Sequence, residues 1–348
     1  MKKLLVVSGN SVHTVNYIKL IDGYFDEVLV ITNKAMEGLD CTQVEMDFSL
    51  RNPLKLVPGI KKIRQVIHDF NPTVIHLQQA ATHAYMAVKA AKGSNIPIVL
   101  TPWGSDILLN PKRGIIFRQM VKTILNESDY ITSFGQHFGK AMIELMPHKK
   151  LDISYVRWGI DTEKAIIGPK ENIIYSNRLH NPLYRVDKII EAYAALPKEE
   201  ISKWKLLVAG TGTETEYLKE LCNKLGIADK VEFCGWISRE QNFENYRKSK
   251  IYVSIPISDS MPISLQEAML HGCLPVLSDL PANREITQAP GYGVIVEDVN
   301  KPFLSDVINW DIDVLVKDNT QQIKNVAALA VSRAGFLRVY DKALNTAQ

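Results

Sequence analysis

Two acidic residues, Asp259 and Glu267, stand eight positions apart on either side of the stretch Ser260-Met261-Pro262-Ile263-Ser264. A continuous apolar run, Ile251–Ile255, precedes them and Gly272 follows, so the segment reads as strand, short polar loop and helix. Pro262 falls in the first turn, where helices accept proline. Unpaired N–H groups at a helix start, reinforced by the positive end of the helix dipole, form an anion site suited to phosphate. Asp259 in the loop and Glu267 about one and a half turns inside the helix can face one bound molecule, the first near its anionic end and the second deeper along the helix.

The elements that must position these residues extend along the whole chain. Short apolar runs at Leu4–Val7, Glu27–Ile31, Thr73–Leu77, Ile96–Thr101, Tyr130–Thr132 and Ile153–Val156 alternate with helical patterns at Pro53–Phe70, His83–Lys92 and Phe117–Asn126. Pro58-Gly59 predicts a break in the first of these helices, with clean helix only from Ile60. The rhythm restarts with strands at Asn172–Tyr175, Lys205–Ala209, Lys230–Phe233, Ile251–Ile255 and Leu274–Leu277. Helices between them fall near Val186–Leu196, Glu214–Leu225, Gln241–Lys248 and Pro262–His271. Runs without in-and-out alternation are expected of strands buried on both faces of a parallel sheet. The length, 348 residues, suits two domains. We expect an α/β chain with domains at 1–165 and 166–319, and an amphipathic helix at Thr320–Leu344 (within 320–348) returning to the first domain. Two doubly wound domains place a cleft between the carboxyl ends of their sheets, where ligands of open α/β folds bind.

Composition excludes other classes. Apolar residues at 46% and charged residues at 23% are globular values. A net charge of +3 gives no reason to expect nucleic acid, although residues 1–168 carry +5 and the remainder −2. Cys41, Cys222, Cys234 and Cys273 lack metal-ligand spacing and suit reduced thiols in a cytoplasmic protein. The start MKKLLVVSGN reads as a first strand, its apolar run being too short for a signal peptide. Gly9-Asn10-Ser11-Val12 lacks the G-x-G-x-x-G of a nicotinamide site.

The stretch Asp259…Glu267-Ala268-Met269 resembles the E-x7-E signature of retaining glycosyltransferase family 4, whose members have the GT-B fold of two Rossmann-like domains facing a central cleft. Other segments match in the same order. Ser176-Asn177-Arg178-Leu179 is similar to the family's G-R-L, and Val208-Ala209-Gly210-Thr211-Gly212 to its strand-to-glycine turn. Phe233-Cys234-Gly235-Trp236-Ile237 resembles F-x-G-x-V, and Val156 to Thr162 the hinge P-N-G-V-D. Thr101-Pro102-Trp103-Gly104-Ser105-Asp106 stands at T-x-H-G-x-D, with Trp103 in place of the histidine.

The resemblance implies a role for each matching residue. Glu267 would hold the nucleotide ribose and Asp259 the donor sugar, while the amides of Met261, Ile263 and Ser264 bind the diphosphate. Arg178 would bind that diphosphate too, with Arg185 standing in for the family's lysine; arginine suits bidentate phosphate contact. Gly210 lies at the donor side, and Trp236 and Ile237 flank the base. Gly9, Asn10, His13, Trp103 and Asp106 fall on the acceptor side. His76 and His83 read as structural. The activity implied is transfer from a nucleotide sugar, UDP first and GDP second, to a glycan or lipid-linked acceptor with retention, in surface polysaccharide synthesis, with no metal. An inactive nucleotide-sugar-binding partner and a sugar-nucleotide epimerase of the same fold are the alternatives. The basic stretch Arg51, Lys55, Lys61, Lys62, Arg64 reads first as a solvated helix face and second as a peripheral membrane contact.

Overall fold

A computed structural model describes residues 1–49, 56–163, 165, 167–288 and 292–346. The chain divides into two units, one of Met1–Gly159 with Leu329–Gln348 and the other of Ile160–Ala328. These limits differ from the expected 165 and 319 because Ile160 bridges to Ala328, holding Asn319–Ala327 in the second unit.

The first sheet contains β1 (Lys3–Val7), β2 (Glu27–Thr32), β3 (Thr42–Glu45), β4 (Val74–Gln78), β5 (Ile98–Thr101), β6 (Tyr130–Ser133) and β7 (Ile153–Tyr155). Their spatial order is β3-β2-β1-β4-β5-β6-β7, with every pairing parallel. The second contains β8 (Glu171–Ser176), β9 (Lys205–Ala209), β10 (Val231–Gly235), β11 (Ser249–Ser254), β12 (Leu274–Ser278) and β13 (Val294–Val296). Its order, β10-β9-β8-β11-β12-β13, repeats the same winding, again all parallel. In each sheet the winding reverses once, between β1 and β4 and between β8 and β11. That reversal opens the crevice in which doubly wound sheets bind ligands.

Central strands bear out the buried-run argument: β4, β5 and β12 are buried along their full length. Sequence reading overlooks β3 and β13. Both are partly exposed edge strands of three or four residues and carry no long apolar run. Helix Leu56–Phe70 runs unbroken through Pro58-Gly59, since proline in a first turn sacrifices no needed N–H. A Cβ on Gly59 would lie 2.1 Å from the Met86 methyl, so this glycine permits close packing on helix Thr82–Ala91. The expected Thr320–Leu344 helix is two helices, Asn319–Ala327 and Leu329–Thr346, because Ala328 is extended (ψ 146°).

Helix Leu329–Thr346 joins the first unit through buried contacts. Tyr340 bonds the Tyr17 hydroxyl and His76 Nδ1, while Ser332 Oγ donates to the Arg157 carbonyl at 2.8 Å. His76 and His83 are buried, and burial pushes them down to about 3 and about 4, so both are neutral and structural. Among the described residues no helix is long and apolar enough to cross a membrane.

Candidate active site

The winding reversal of the second sheet brings together the loop after β8 and the loop after β11. Arg178 comes from the first; Asp259 and Ser264 come from the second and from the helix Ile263–Leu270 that it enters. Arg178 Nη2 donates to Asp259 Oδ2 at 2.7 Å and Nη1 to Ser264 Oγ at 2.9 Å. Tyr184 lies beneath the guanidinium, 4.3 Å from its ring centroid, adding a cation–π contact. Burial opposes the arginine charge, but Asp259 and the surrounding tyrosines outweigh it and raise the pKa further. Asp259 Oδ1 accepts the Ser260 amide at 2.8 Å, so both carboxylate oxygens are engaged. The residue expected to face the donor sugar therefore also orients Arg178. Met261 is buried and anchors the loop, while Ile263 and Ser264 open the helix behind Pro262 without a side-chain cap.

The glycine turn after β9 has a packing reason. A Cβ on Gly210 would sit 2.6 Å from the Arg178 carbonyl oxygen, and one on Gly212 2.2 Å from that of His180. Gly210 also has φ +108°, a region that disfavours a side chain. The His180 amide donates to the Thr211 carbonyl, and Thr215 Oγ1 meets His180 Nδ1 at 2.9 Å. The turn thus clamps the backbone that carries Arg178. Arg185 also adopts positive φ, +51°, and donates to the Ile255 and Pro256 carbonyls at 2.7 and 2.9 Å. Two of its donors tie down the end of β11, so its expected phosphate role falls to the donors that remain.

Glu267 is 9% exposed, and its pKa is pushed up to about 7 by burial, against the opposing pull of Arg239 and the Tyr246 hydroxyl. A run of polar groups connects it to Arg178. Asn177 Nδ2 donates to the Tyr246 hydroxyl at 2.7 Å; the Tyr252 hydroxyl meets Asn177 Oδ1 (3.1 Å) and Ser264 Oγ (2.8 Å). Tyr252→Phe keeps the ring but removes the hydroxyl that both of these part-buried groups bond. Its expected cost is about 1–3 kcal/mol, read as a lower urea midpoint; an unchanged midpoint would show that the hydroxyl contributes nothing. At the outer end of β10, Trp236 is 77% exposed and Ile237 half-buried.

In the first unit, Gly9 and Asn10 follow β1 and Gln78 ends β4, again at the winding reversal. The Asn10 amide donates to Asn33 Oδ1, and its side chain donates to the carbonyls of Lys34 and Ala35, joining two loops. His13 packs edge-on to Trp103 and Trp158 at 5.4 and 5.7 Å, and burial lowers its pKa. Trp103 Nε1 donates to Gln78 Oε1 at 3.1 Å. Asp106, expected on the acceptor side, corrects that reading. It is fully buried and accepts the amides of Ala80, Trp103 and Gly104, so it shapes the turn instead of meeting a ligand.

Two family profiles match the chain: glycosyl transferase 4-like over residues 2–134, and glycosyl transferases group 1 over residues 157–325. Between them they take in most of its length. The chain belongs to the family 4 type of glycosyltransferase. An uncharacterised glycosyltransferase of Methanocaldococcus jannaschii is 26% identical over 160 residues, 46% of this chain and 38% of that protein. The chain thus matches well under half of that relative's length. A GDP-mannose:cellobiosyl-diphosphopolyprenol alpha-mannosyltransferase of Xanthomonas campestris is 22% identical over 301 residues, 83% of this chain and 76% of the relative. Among solved structures, HepE of Anabaena in complex with UDP superposes with a TM-score of 0.81 at 16% identity, covering 98% of this chain and all of that one. That likeness is one of GT-B fold.

Within this glycosyltransferase, sequence reasoning missed the residues that hold the site rather than those that compose it. Tyr184, His180, Tyr246 and Tyr252 carry no motif of their own. Asn177 and Tyr184 stand beside Arg178 and Arg185, the only sequence signal that marked them. Among the described residues no group of three or more His, Cys, Asp or Glu side chains is placed to hold a metal ion.

Proposed function

We propose that the chain moves a sugar from a nucleoside-diphosphate donor, UDP first and GDP second, to a glycan or lipid-linked acceptor with retention of configuration, in surface polysaccharide assembly. The observation that carries this reading is Arg178, held by Asp259 and Ser264 beside the uncapped start of helix Ile263–Leu270. Cleavage of the bond from the sugar's anomeric carbon to the β-phosphate oxygen leaves charge on the diphosphate. Arg178 and the helix-start amides meet that charge where it develops, which in enzymes is commonly the largest catalytic contribution. The new bond joins the anomeric carbon to the acceptor oxygen, and the acceptor proton passes to the departing phosphate oxygen. Glu267 accepts from the ribose hydroxyls. The reading calls for no metal, since Arg178 and the helix start supply the positive potential.

UDP is favoured because HepE was solved with it, GDP because the Xanthomonas relative is named for GDP-mannose. That relative's diphosphopolyprenol-linked substrate supports a lipid-linked acceptor. The test is a thermal-shift panel of UDP, GDP, ADP and dTDP, with and without EDTA, repeated on Glu267→Ala. A ligand at a hundredfold excess over Kd stabilises by about 2.7 kcal/mol. One diphosphate should raise the midpoint with EDTA present, and far less in the variant. No shift from any of the four would overturn the reading.

A further inference from the structure

We infer that the tip Lys112–Arg118 in the first unit is a docking surface for an anionic lipid bilayer. Five consecutive residues, Lys112 to Ile116, are exposed at the entry to helix Ile115–Glu127. Ile115 and Ile116 are 75% and 74% exposed, more than any other described isoleucine, leucine or valine. They are also adjacent, whereas isolated apolar side chains on a surface need no explanation. Gly114 has φ +148° with nothing within 4 Å of a Cβ built on it, so the chain turns outward into open space there.

Charge selects the partner. Between Ile107 and Asn126 stand Lys112, Arg113, Arg118 and Lys122, with no acidic residue. The Arg113 guanidinium lies 4.7 Å from the ring centroid of Phe117, the residue that follows the apolar pair. Two exposed isoleucines flanked in sequence by cations match a membrane interface, where apolar side chains enter the acyl boundary and cations meet acidic headgroups. A protein partner of ordinary composition offers no comparable unbroken negative charge. In the basic stretch first considered for this role, two of the five side chains are tied to backbone carbonyls. Arg64 donates to the carbonyls of Lys89 and Ala90, and Lys62 to that of Glu45, while Arg51 and Lys55 lie outside the described residues.

This inference is independent of the donor site. The test is sedimentation of the full chain with vesicles of phosphatidylcholine alone and with about a third phosphatidylglycerol. Binding is expected only to the anionic vesicles, weakening with salt. Ile115→Ser/Ile116→Ser should lower the partition coefficient at least tenfold, and Arg113→Glu/Arg118→Glu by a similar factor. Both are surface changes, so the melting temperature and the nucleoside-diphosphate shifts should match the wild type. Equal partition of wild type and both variants would overturn the inference, as would a dimer without vesicles that the isoleucine variant dissociates. Loss of nucleotide binding with retained sedimentation would count against the donor site alone.

Discussion

Arg178→Ala is expected to lower turnover a hundred- to a thousandfold while leaving nucleoside-diphosphate affinity within about tenfold, the pattern of a lost transition-state donor. The arginine is held on three sides, by Asp259, Ser264 and the Tyr184 ring, with 11% of its side chain exposed. Its charge is therefore already oriented before the diphosphate departs, and little reorganisation accompanies the reaction. Removing it also leaves the Asp259 carboxylate without its cation. Breaking a buried pair from one side costs about 3–5 kcal/mol, and the 15% exposure of Asp259 places this case at the lower end. Arg178→Lys separates the two effects. It keeps a cation near Asp259 but loses the fork that reaches Ser264 as well, so stability should largely return while turnover stays well below wild type. The measurements are initial rates with saturating donor, calorimetric titration of the diphosphate, and urea unfolding of all three proteins. Turnover and affinity lost by the same factor would contradict a role specific to the departing phosphate.

Glu267 gives the second large effect, and it depends on pH. Burial is the main reason that its carboxyl titrates near 7 and not near the ordinary 4.5. An ionised carboxylate accepts from ribose hydroxyls better than a neutral acid does, so binding should draw the proton off. For a site that binds only the ionised form, diphosphate affinity rises about tenfold between pH 6 and pH 8. Glu267→Gln should flatten this dependence and bind about ten- to a hundredfold more weakly at pH 8. The effect on stability has the opposite sign. The folded-state pKa is raised, so the stabilising contribution is complete below about 4.5 and is lost as pH climbs through 7. Without ligand at pH 8, Glu267→Gln is therefore expected to be more stable than the wild type, by up to ~3 kcal/mol. A stability gain beside an affinity loss is the mark of a group kept for function. Urea unfolding and calorimetry at pH 6, 7 and 8 measure both. A pH-independent affinity in the wild type would remove Glu267 from the ribose.

Arg185 and Asp106 show how far a motif carries. Each stands in sequence where the family resemblance suggests a ligand contact, yet a guanidinium will bond whichever acceptors lie within reach. For Arg185 these include the Ile255 and Pro256 carbonyls at the end of β11. A carboxylate closed off from water must find donors, and Asp106 finds them in the turn around Trp103. Residue type and spacing do not encode that competition.

Local physics determined much of this protein from sequence alone. Apolar runs without alternation announced strands buried on both faces, and the restart of the rhythm after residue 170 announced a second sheet. Pro262 between a strand and an apolar helix marked a helix start with Asp259 before it and Glu267 within it, while Arg178 was marked only by the family resemblance. Each of these signals lies within about ten residues, the range over which backbone preference and side-chain period act. Tertiary structure decided the rest. Asn177 and Tyr252 bond each other although 75 residues separate them, because β8 and β11 are hydrogen-bonded neighbours at the point where the winding reverses. Parallel neighbours require a crossover, so strands adjacent in space are distant in sequence. The pair that holds Arg178, the polar run to Glu267 and the clamp of Gly210 and Gly212 on residues 178–180 all arise from that separation.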